Sequence, residues 1–190
     1  MREIVLDTET TGLDPEEGHR IVEIGALELR NGLPTGRTFH KYVNPERSMP
    51  AEAYEVHGLG DDFLRGQPVF AAILEEFLDF IAGDPLVIHN AAFDMAMINA
   101  ELRRHGREPL PDSRAIDTVQ IARRKFPGAH ASLDALCRRF GVDNSGREKH
   151  GALLDSELLA EVYLELQGGR QQGLELAASG PGAADRKSVV

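Results

Sequence analysis

Two short runs of apolar residues most constrain how this chain can fold. Residues 4–6 are Ile-Val-Leu and residues 86–88 are Leu-Val-Ile, and each run leads directly into polar residues. Short apolar runs bounded by polar residues are typical of strands that are buried on both faces. Such strands need helices on both sides of their sheet, so the two runs predict an α/β fold.

The pattern around these runs predicts a mixed sheet. Residues 21–29 and 38–43 are expected to form two further strands that pair across the turn signal Asn31-Gly32. A last strand is predicted at residues 114–116. We therefore expect three antiparallel strands followed by parallel strands, with helices flanking the sheet.

Helical periodicity marks five segments of the chain. They cover residues 68–82, 91–105, 118–125, 133–140 and 151–166. The residues placed to cap helices are Asn90, Asp117 and Ser132. The glycines placed to end them are Gly83, Gly106 and Gly141. Strands and helices then alternate through the second half of the chain, as parallel strands require.

Length and composition fit one domain and a tail. A chain of 190 residues can bury a sizeable core, and its composition turns small and polar after Gly168. We expect a domain over residues 1–168 and a flexible tail over residues 169–190. We expect no signal peptide, because the first residues lead straight into a predicted strand. The sequence has no apolar stretch near the roughly 18 residues of a membrane span, and it has one cysteine, Cys137. These features predict a cytoplasmic protein that does not contact membranes.

Acidic residues follow directly on the first apolar run. Asp7 and Glu9 are two positions apart, and side chains two apart on a strand project to the same face. Two carboxylates at the end of an apolar strand are costly unless they are paired or bind a metal. Solvated acids at an exposed strand end are the alternative.

Two later segments carry further candidate residues. Asp94 falls in the first turn of the helix predicted at residues 91–105, where it either complements the helix dipole or adds a carboxylate to the sheet's carboxyl edge. His150 and Asp155 flank the start of the last predicted helix. Five helical residues turn by about 500°, so both side chains reach one site only if His150 lies in the preceding loop. A surface histidine is the alternative there.

In this order, the acids and the histidine resemble the pattern of the DEDDh 3′–5′ exonuclease family. The resemblance covers nearly all of residues 3–166 and is closest to proofreading members that accompany a bacterial replicative polymerase. Its motifs are VLDTETTG at 5–12, VHG at 56–58, VIHNAAFD at 87–94, SLDALC at 132–137 and HGALLD at 150–155. Tyr163 is not followed by an aspartate at the spacing of tyrosine-type relatives, so the histidine class stands.

The resemblance implies a ribonuclease-H-like exonuclease fold and a 3′–5′ DNA exonuclease that releases nucleoside 5′-monophosphates. It implies that Asp7, Glu9, Asp94 and Asp155 bind two metal ions and that His150 is the general base. Asp7 is expected to bridge both ions, and Asp94 to act through a water or as an outer ligand. Carboxylate oxygens suit Mg²⁺, and Mn²⁺ can substitute for it.

The expected substrate is the 3′ end of single-stranded or mismatched DNA. A terminal base must leave its stack to enter such a site, and a mismatched base leaves at lower cost. Thr10, His57 and Phe93 are candidates for holding the terminal nucleotide, although His57 fits a plain surface residue equally well. The net charge of −10 argues against tight non-specific binding of duplex DNA. We therefore expect weak intrinsic affinity for DNA and a partner that tethers the enzyme.

Partners are implied in two ways. The resemblance implies the polymerase catalytic subunit. The segment from Gln171 to Leu176 resembles peptides that dock on the bacterial sliding clamp, with a frayed linker as the alternative. Two other functions stay open: an RNA-processing or repair exonuclease of the same family, and a non-catalytic subunit that binds the polymerase.

Overall fold

The computed structural model describes residues 1–169 and is built on one five-stranded sheet. The strands are β1 (Arg2–Thr10), β2 (Ile21–Arg30), β3 (Leu33–Tyr42), β4 (Leu86–Ile88) and β5 (Ala115–Asp117). Their order in the sheet is β3-β2-β1-β4-β5. Strands β1 to β3 are antiparallel, whereas β4 and β5 run parallel to β1. The predicted mixed α/β sheet is confirmed.

Helices cover both faces of this sheet. They are α1 (Ala51–His57), α2 (Asp61–Arg65), α3 (Phe70–Ile81), α4 (Ala91–Arg104), α5 (Thr118–Lys125), α6 (Leu133–Phe140) and α7 (Ala152–Leu166). Successive residues of β1 point to opposite faces, so Ile4 and Leu6 pack in a core with α3 and α4, and Val5 packs in a second core with α6 and α7. This explains why the run at residues 4–6 is apolar throughout.

Helix α7, the last element of the domain, packs against β1, the first strand. Its side chains Leu159 and Val162 lie in the second core together with Val5. Within that core, the buried Tyr163 hydroxyl donates a hydrogen bond to Glu3 Oε1 at 2.7 Å. Residues that are 160 positions apart in the sequence are therefore in direct contact.

Several predicted boundaries are confirmed by local contacts. Asp117 caps α5 by accepting a hydrogen bond from Val119 N, and Ser132 caps α6 by accepting one from Ala135 N. Gly141 ends α6 with a φ of 67°, a conformation that favours glycine. The side chains that prefer cap positions therefore marked these helices correctly.

Other local predictions were wrong. Strand β3 begins at Leu33 rather than at residue 38. The prediction missed its first half because that half is exposed and lacks an alternating apolar pattern. Helix α3 is closed by Ala82 rather than Gly83. Asn90 precedes α4 but its side chain makes no capping hydrogen bond, since its backbone is left-handed with a φ of 63°. Helices α1 and α2 were not predicted, because they are too short to show a clear helical period.

Two further predictions concern membrane-spanning helices and the C-terminal tail. Among the helices of residues 1–169, none combines the length and the apolar character needed to cross a membrane. The segment from Gln171 to Leu176, and with it nearly all of the predicted tail, lies outside the described residues.

Candidate active site

The end of β1 meets the start of α4 through a buried aspartate. Thr8 N and Thr8 Oγ1 donate hydrogen bonds to Asp94 Oδ1 at 3.1 and 2.7 Å. Asp94 is only 3% exposed, although it lies in the first turn of α4 where solvated acids are common. An aspartate that only complements the helix dipole does not need to be buried. Asp94 therefore lies with Asp7 in a group of acids at the end of β1.

Helix α7 reaches the same place because of a glycine in β2. Gly25 is paired with Asp7 in the β1–β2 ladder. A Cβ atom on Gly25 would lie 2.3 Å from the carbonyl carbon of Ala152, so only a residue without a side chain allows this approach. Ser156 Oγ then donates a hydrogen bond to Gly25 O at 2.9 Å. The first turns of α7, which carry Asp155, are thereby held beside β1.

His150 lies in the loop before α7, as its spacing from Asp155 predicted. Its backbone N–H donates to Val56 O at 3.0 Å, which ties the loop to α1. The imidazole is 48% exposed, and its Nδ1 lies 3.8 Å from Asp155 Oδ2. Ligand atoms of Glu9, His150 and Asp155 all lie within 4.8 Å of one another. The structure therefore gathers the histidine and two of the predicted acids around one point.

The acids Asp7, Glu9, Asp94 and Asp155 form a cluster whose oxygen atoms and repelling charges suit a divalent cation. Asp7 Oδ2 is buried and has no hydrogen-bond partner among residues 1–169. Burial raises the pKa of Asp7 well above its ordinary value, and the carboxylates of Asp94 and Glu9 raise it further. A buried carboxylate oxygen without a partner is costly unless a proton or a cation meets it. Carboxylate oxygens are the ligands that Mg²⁺ and Mn²⁺ prefer, so these residues fit a metal site.

Two further acids have raised pKa values for the same reasons. Burial raises the pKa of Glu9 to about 8, and repulsion from Asp155 and Glu23 adds to the effect. Burial also raises the pKa of Asp94 to about 7, although the hydrogen bonds from Thr8 act in the opposite direction. Crowded carboxylates of this kind are typical of functional sites.

The metal-free protein is expected to lose stability as the pH rises from about 4.5 to about 8. In that range the unfolded chain has released the Glu9 proton whereas the folded protein retains it, so a higher pH lowers the free energy of unfolding. We expect the melting temperature to fall by on the order of 5–10 °C. Thermal melts in chelator test this, and both Glu9→Gln and added Mg²⁺ should flatten the slope. An equally steep slope in Glu9→Gln would contradict the assignment.

A cavity of about 560 Å³ opens beside the acids. Glu9 lines it together with Thr10, His57 and Phe93, the three residues predicted to hold a nucleotide. The exposed side chains of Leu13 and Val56 add apolar surface to its walls. The cavity is therefore large enough for a small organic ligand and lies directly next to the cluster.

His57 is a buried residue of this wall rather than a surface residue. Its Nδ1 accepts a hydrogen bond from Leu59 N at 3.0 Å, and its Nε2 lies 3.0 Å from Thr10 O. Both ring nitrogens are thus engaged within the protein, with Nε2 as the donor. His57 supports the turn at Thr10 and offers the cavity its ring surface.

Three residues that build the site were not predicted from the sequence. Gly25 admits α7, and a glycine inside a buried strand is a recognisable signal of close backbone approach. Glu23 accepts a hydrogen bond from Ala152 N at 2.9 Å and so caps α7 from a neighbouring strand. Arg147 donates to both oxygens of Asp155, at 2.7 and 2.9 Å. The contacts of Glu23 and Arg147 have no local sequence signal. Glu23 is distant from Ala152 in the sequence, and the spacing of Arg147 and Asp155 matches no recognised motif.

Replacing Gly25 with alanine should displace α7 and impair the site. The added methyl group meets backbone atoms rather than a flexible side chain, so we expect a loss of about 1–3 kcal/mol in the free energy of unfolding. The nuclease activity that the sequence resemblance implies should fall as Asp155 moves away from β1. Denaturant unfolding and nucleotide release check both effects. Gly83→Ala is the control, since a Cβ there would meet no atom within 4 Å, and equal behaviour of the two variants would rule out the Gly25 contact.

Comparisons with known proteins agree with this geometry. A family model described as Exonuclease matches residues 4–163. The chain is 56% identical to the DNA polymerase III subunit epsilon of Rickettsia felis over 179 residues, which cover 93% of this chain and 78% of that protein. It is 49% identical to the Escherichia coli K12 subunit epsilon over 176 residues, 89% of this chain and 72% of that protein.

The fold is also shared with solved structures. The nuclease domain of 3′hExo, a DEDDh family member solved with rAMP, superposes with a TM-score of 0.75. The superposition covers 87% of this chain and 91% of that one at 21% sequence identity. This chain therefore belongs to the exonuclease family, with DNA polymerase III epsilon subunits among its relatives.

Proposed function

We propose that this exonuclease removes nucleoside 5′-monophosphates from the 3′ end of DNA, as the proofreading subunit of a replicative polymerase. One observation carries the proposal: acids from β1, α4 and α7 lie close enough to raise the pKa of Asp7, and His150 lies beside two of them, Glu9 and Asp155, next to a 560 Å³ cavity. The names of the relatives, DNA polymerase III subunit epsilon, support DNA as the substrate and the polymerase catalytic subunit as the partner.

The metal requirement follows from the family and from the donor set. The DEDDh exonucleases that this sequence resembles generally use divalent metal ions. We propose that Asp7, Glu9, Asp94 and Asp155 would hold two of them, Mg²⁺ or Mn²⁺. Bound cations of this kind neutralise the charge on a phosphoryl group and make water a stronger nucleophile.

The side chains supply the remaining parts of the reaction. The His150 imidazole, beside Glu9 and Asp155, accepts the proton that the attacking water releases. The Phe93 ring offers a face on which the terminal base stacks, while His57 keeps the turn at Thr10 in place. These residues orient the 3′ end so that its last phosphodiester faces the acids.

The overall charge supports an enzyme that needs a tether. With a net charge of −10 the chain attracts few phosphates, so the proposed site grips a strand end and not a duplex. Single-stranded and mismatched ends are favoured because their terminal base unstacks at lower cost. We propose that the polymerase subunit in the bacterial cytoplasm provides the tether, and that the segment from Gln171 to Leu176 makes a second contact, with the sliding clamp.

Release of mononucleotides from a 5′-labelled primer is the decisive test. Paired, mismatched and single-stranded ends are compared in Mg²⁺ and in chelator, with an RNA oligonucleotide of the same sequence in parallel. We expect metal-dependent shortening in one-nucleotide steps, faster on mismatched and single-stranded DNA. Faster digestion of RNA would favour an RNA-processing enzyme, and no digestion of either would favour a non-catalytic subunit.

A further inference from the structure

A buried arginine joins the two residues that α7 and its preceding loop bring to the site. The side chain of Arg147 is only 8% exposed. Its Nε and Nη2 donate to the two carboxylate oxygens of Asp155, and Nη2 also lies 3.2 Å from His150 Nδ1. An arginine can only donate, so Nδ1 accepts this hydrogen bond. One guanidinium therefore sets the distance between a carboxylate and the imidazole.

The same guanidinium is fixed at its far side. Arg147 Nη1 donates to Asp134 Oδ1 at 2.8 Å, and Asp134 lies in the first turn of α6. Asn144 Nδ2 donates to the same oxygen at 2.9 Å, so the loop between α6 and α7 is held to α6 at two points. A planar, rigid fork with several donors suits this bridging, whereas a lysine ammonium does not reproduce it.

We propose that Arg147 is a positioning residue of the nuclease site. Anchored on Asp134, it holds Asp155 and His150 in the relative orientation that hydrolysis requires. The inference rests on the proposed function, because it assigns Arg147 a role in that same reaction. Without the bridge, His150 keeps its backbone hydrogen bond to Val56 of α1, but its imidazole and the Asp155 carboxylate lose the hydrogen bonds from the guanidinium that orient them.

This role predicts that loss of Arg147 lowers turnover without lowering the affinity for a metal ion. Loss of the bridge should lower kcat by roughly 10–100-fold, as is typical when a residue that orients a ligand is removed. The affinity for a divalent cation should not fall, because the positive guanidinium competes with the cation for the Asp155 carboxylate. A residue that merely supports the fold would lower both quantities together.

The experiment uses full-length Arg147→Met, Arg147→Lys and Asp134→Asn, with Arg138→Met as the matched control. Arg138 is an exposed arginine of α6. Turnover and KM are measured on a single-stranded oligonucleotide, and Mn²⁺ affinity is measured without DNA from the electron paramagnetic resonance signal of free Mn²⁺. We expect lower kcat with equal or tighter Mn²⁺ binding in both Arg147 variants. Asp134→Asn should show a smaller loss, and none further when combined with Arg147→Met.

Each other outcome overturns the proposal. Wild-type kcat in Arg147→Met would show that the bridge is not needed. A parallel loss of kcat and Mn²⁺ affinity would make Arg147 a structural support, and full activity in Arg147→Lys would show that charge suffices without the fork. If Arg147→Met does not fold, Arg147→Lys and Asp134→Asn decide. Failure of the wild-type chain to release nucleotides would instead count against the proposed function. That failure is seen in the wild-type chain itself, so it is distinct from a failure of the Arg147 proposal, which appears only in the variants.

Discussion

Replacement of Asp7 by asparagine should abolish nucleotide release while making the metal-free protein more stable. Among residues 1–169, Asp7 presents a buried oxygen without a hydrogen-bond partner to the other acids, so its loss should remove a proposed metal ligand. Metal assistance is worth several kcal/mol, which corresponds to a rate loss on the order of 10³-fold or more. The neutral amide also relieves repulsion among the acids, so the melting temperature in chelator should rise.

Three measurements test this prediction together. They are nucleotide release, Mn²⁺ affinity and thermal melting in chelator, each compared with Asp79→Asn, which changes an exposed acid of α3. A folded Asp7→Asn variant with normal Mn²⁺ affinity would contradict the proposed role of Asp7 as a metal ligand. A lower melting temperature would contradict the view that the acids repel one another in the absence of metal.

The change His150→Ala should slow nucleotide release by on the order of 10²–10⁴-fold and leave metal binding largely intact. The imidazole is exposed and lies in a loop, so its removal should not disturb the core. Only the acceptance of the proton from water is lost. Rates at saturating Mn²⁺ and the Mn²⁺ affinity separate this effect from loss of a ligand.

The exposed His130, in the segment before α6, provides the control for this variant. His130→Ala should match the wild-type rate. Turnover by His150→Ala at the wild-type rate would remove His150 from the mechanism. A steep loss of Mn²⁺ affinity would instead make His150 a metal ligand, a role that its distance from Glu9 and Asp155 also permits.

Much of the sheet could be predicted because its signals are local. The run at residues 4–6 faces two cores, and this double burial is visible as uninterrupted apolar sequence. Asp117 and Ser132 cap their helices through contacts within three residues. Asp7 and Glu9 share a face because of strand geometry alone. The order of motifs then identified the family.

The remaining features depend on where distant segments cross. The approach of α7 to Gly25 follows from packing of the whole helix on the sheet, and no spacing in the sequence encodes it. The hydrogen bonds of Arg147 to Asp134 and Asp155 also depend on how α6, the loop and α7 are arranged. The start of β3 was missed because an exposed edge strand needs no apolar alternation.

The contact between Tyr163 and Glu3 has a consequence for how the protein is made. A ribosome delivers β1 first and α7 last, so a nascent chain exposes Asp7 and Glu9 long before Asp155 exists. Until α7 emerges and docks on the finished sheet, the growing polypeptide lacks Asp155, one of the proposed metal ligands. The proposed site can therefore assemble only after the last helix has been made.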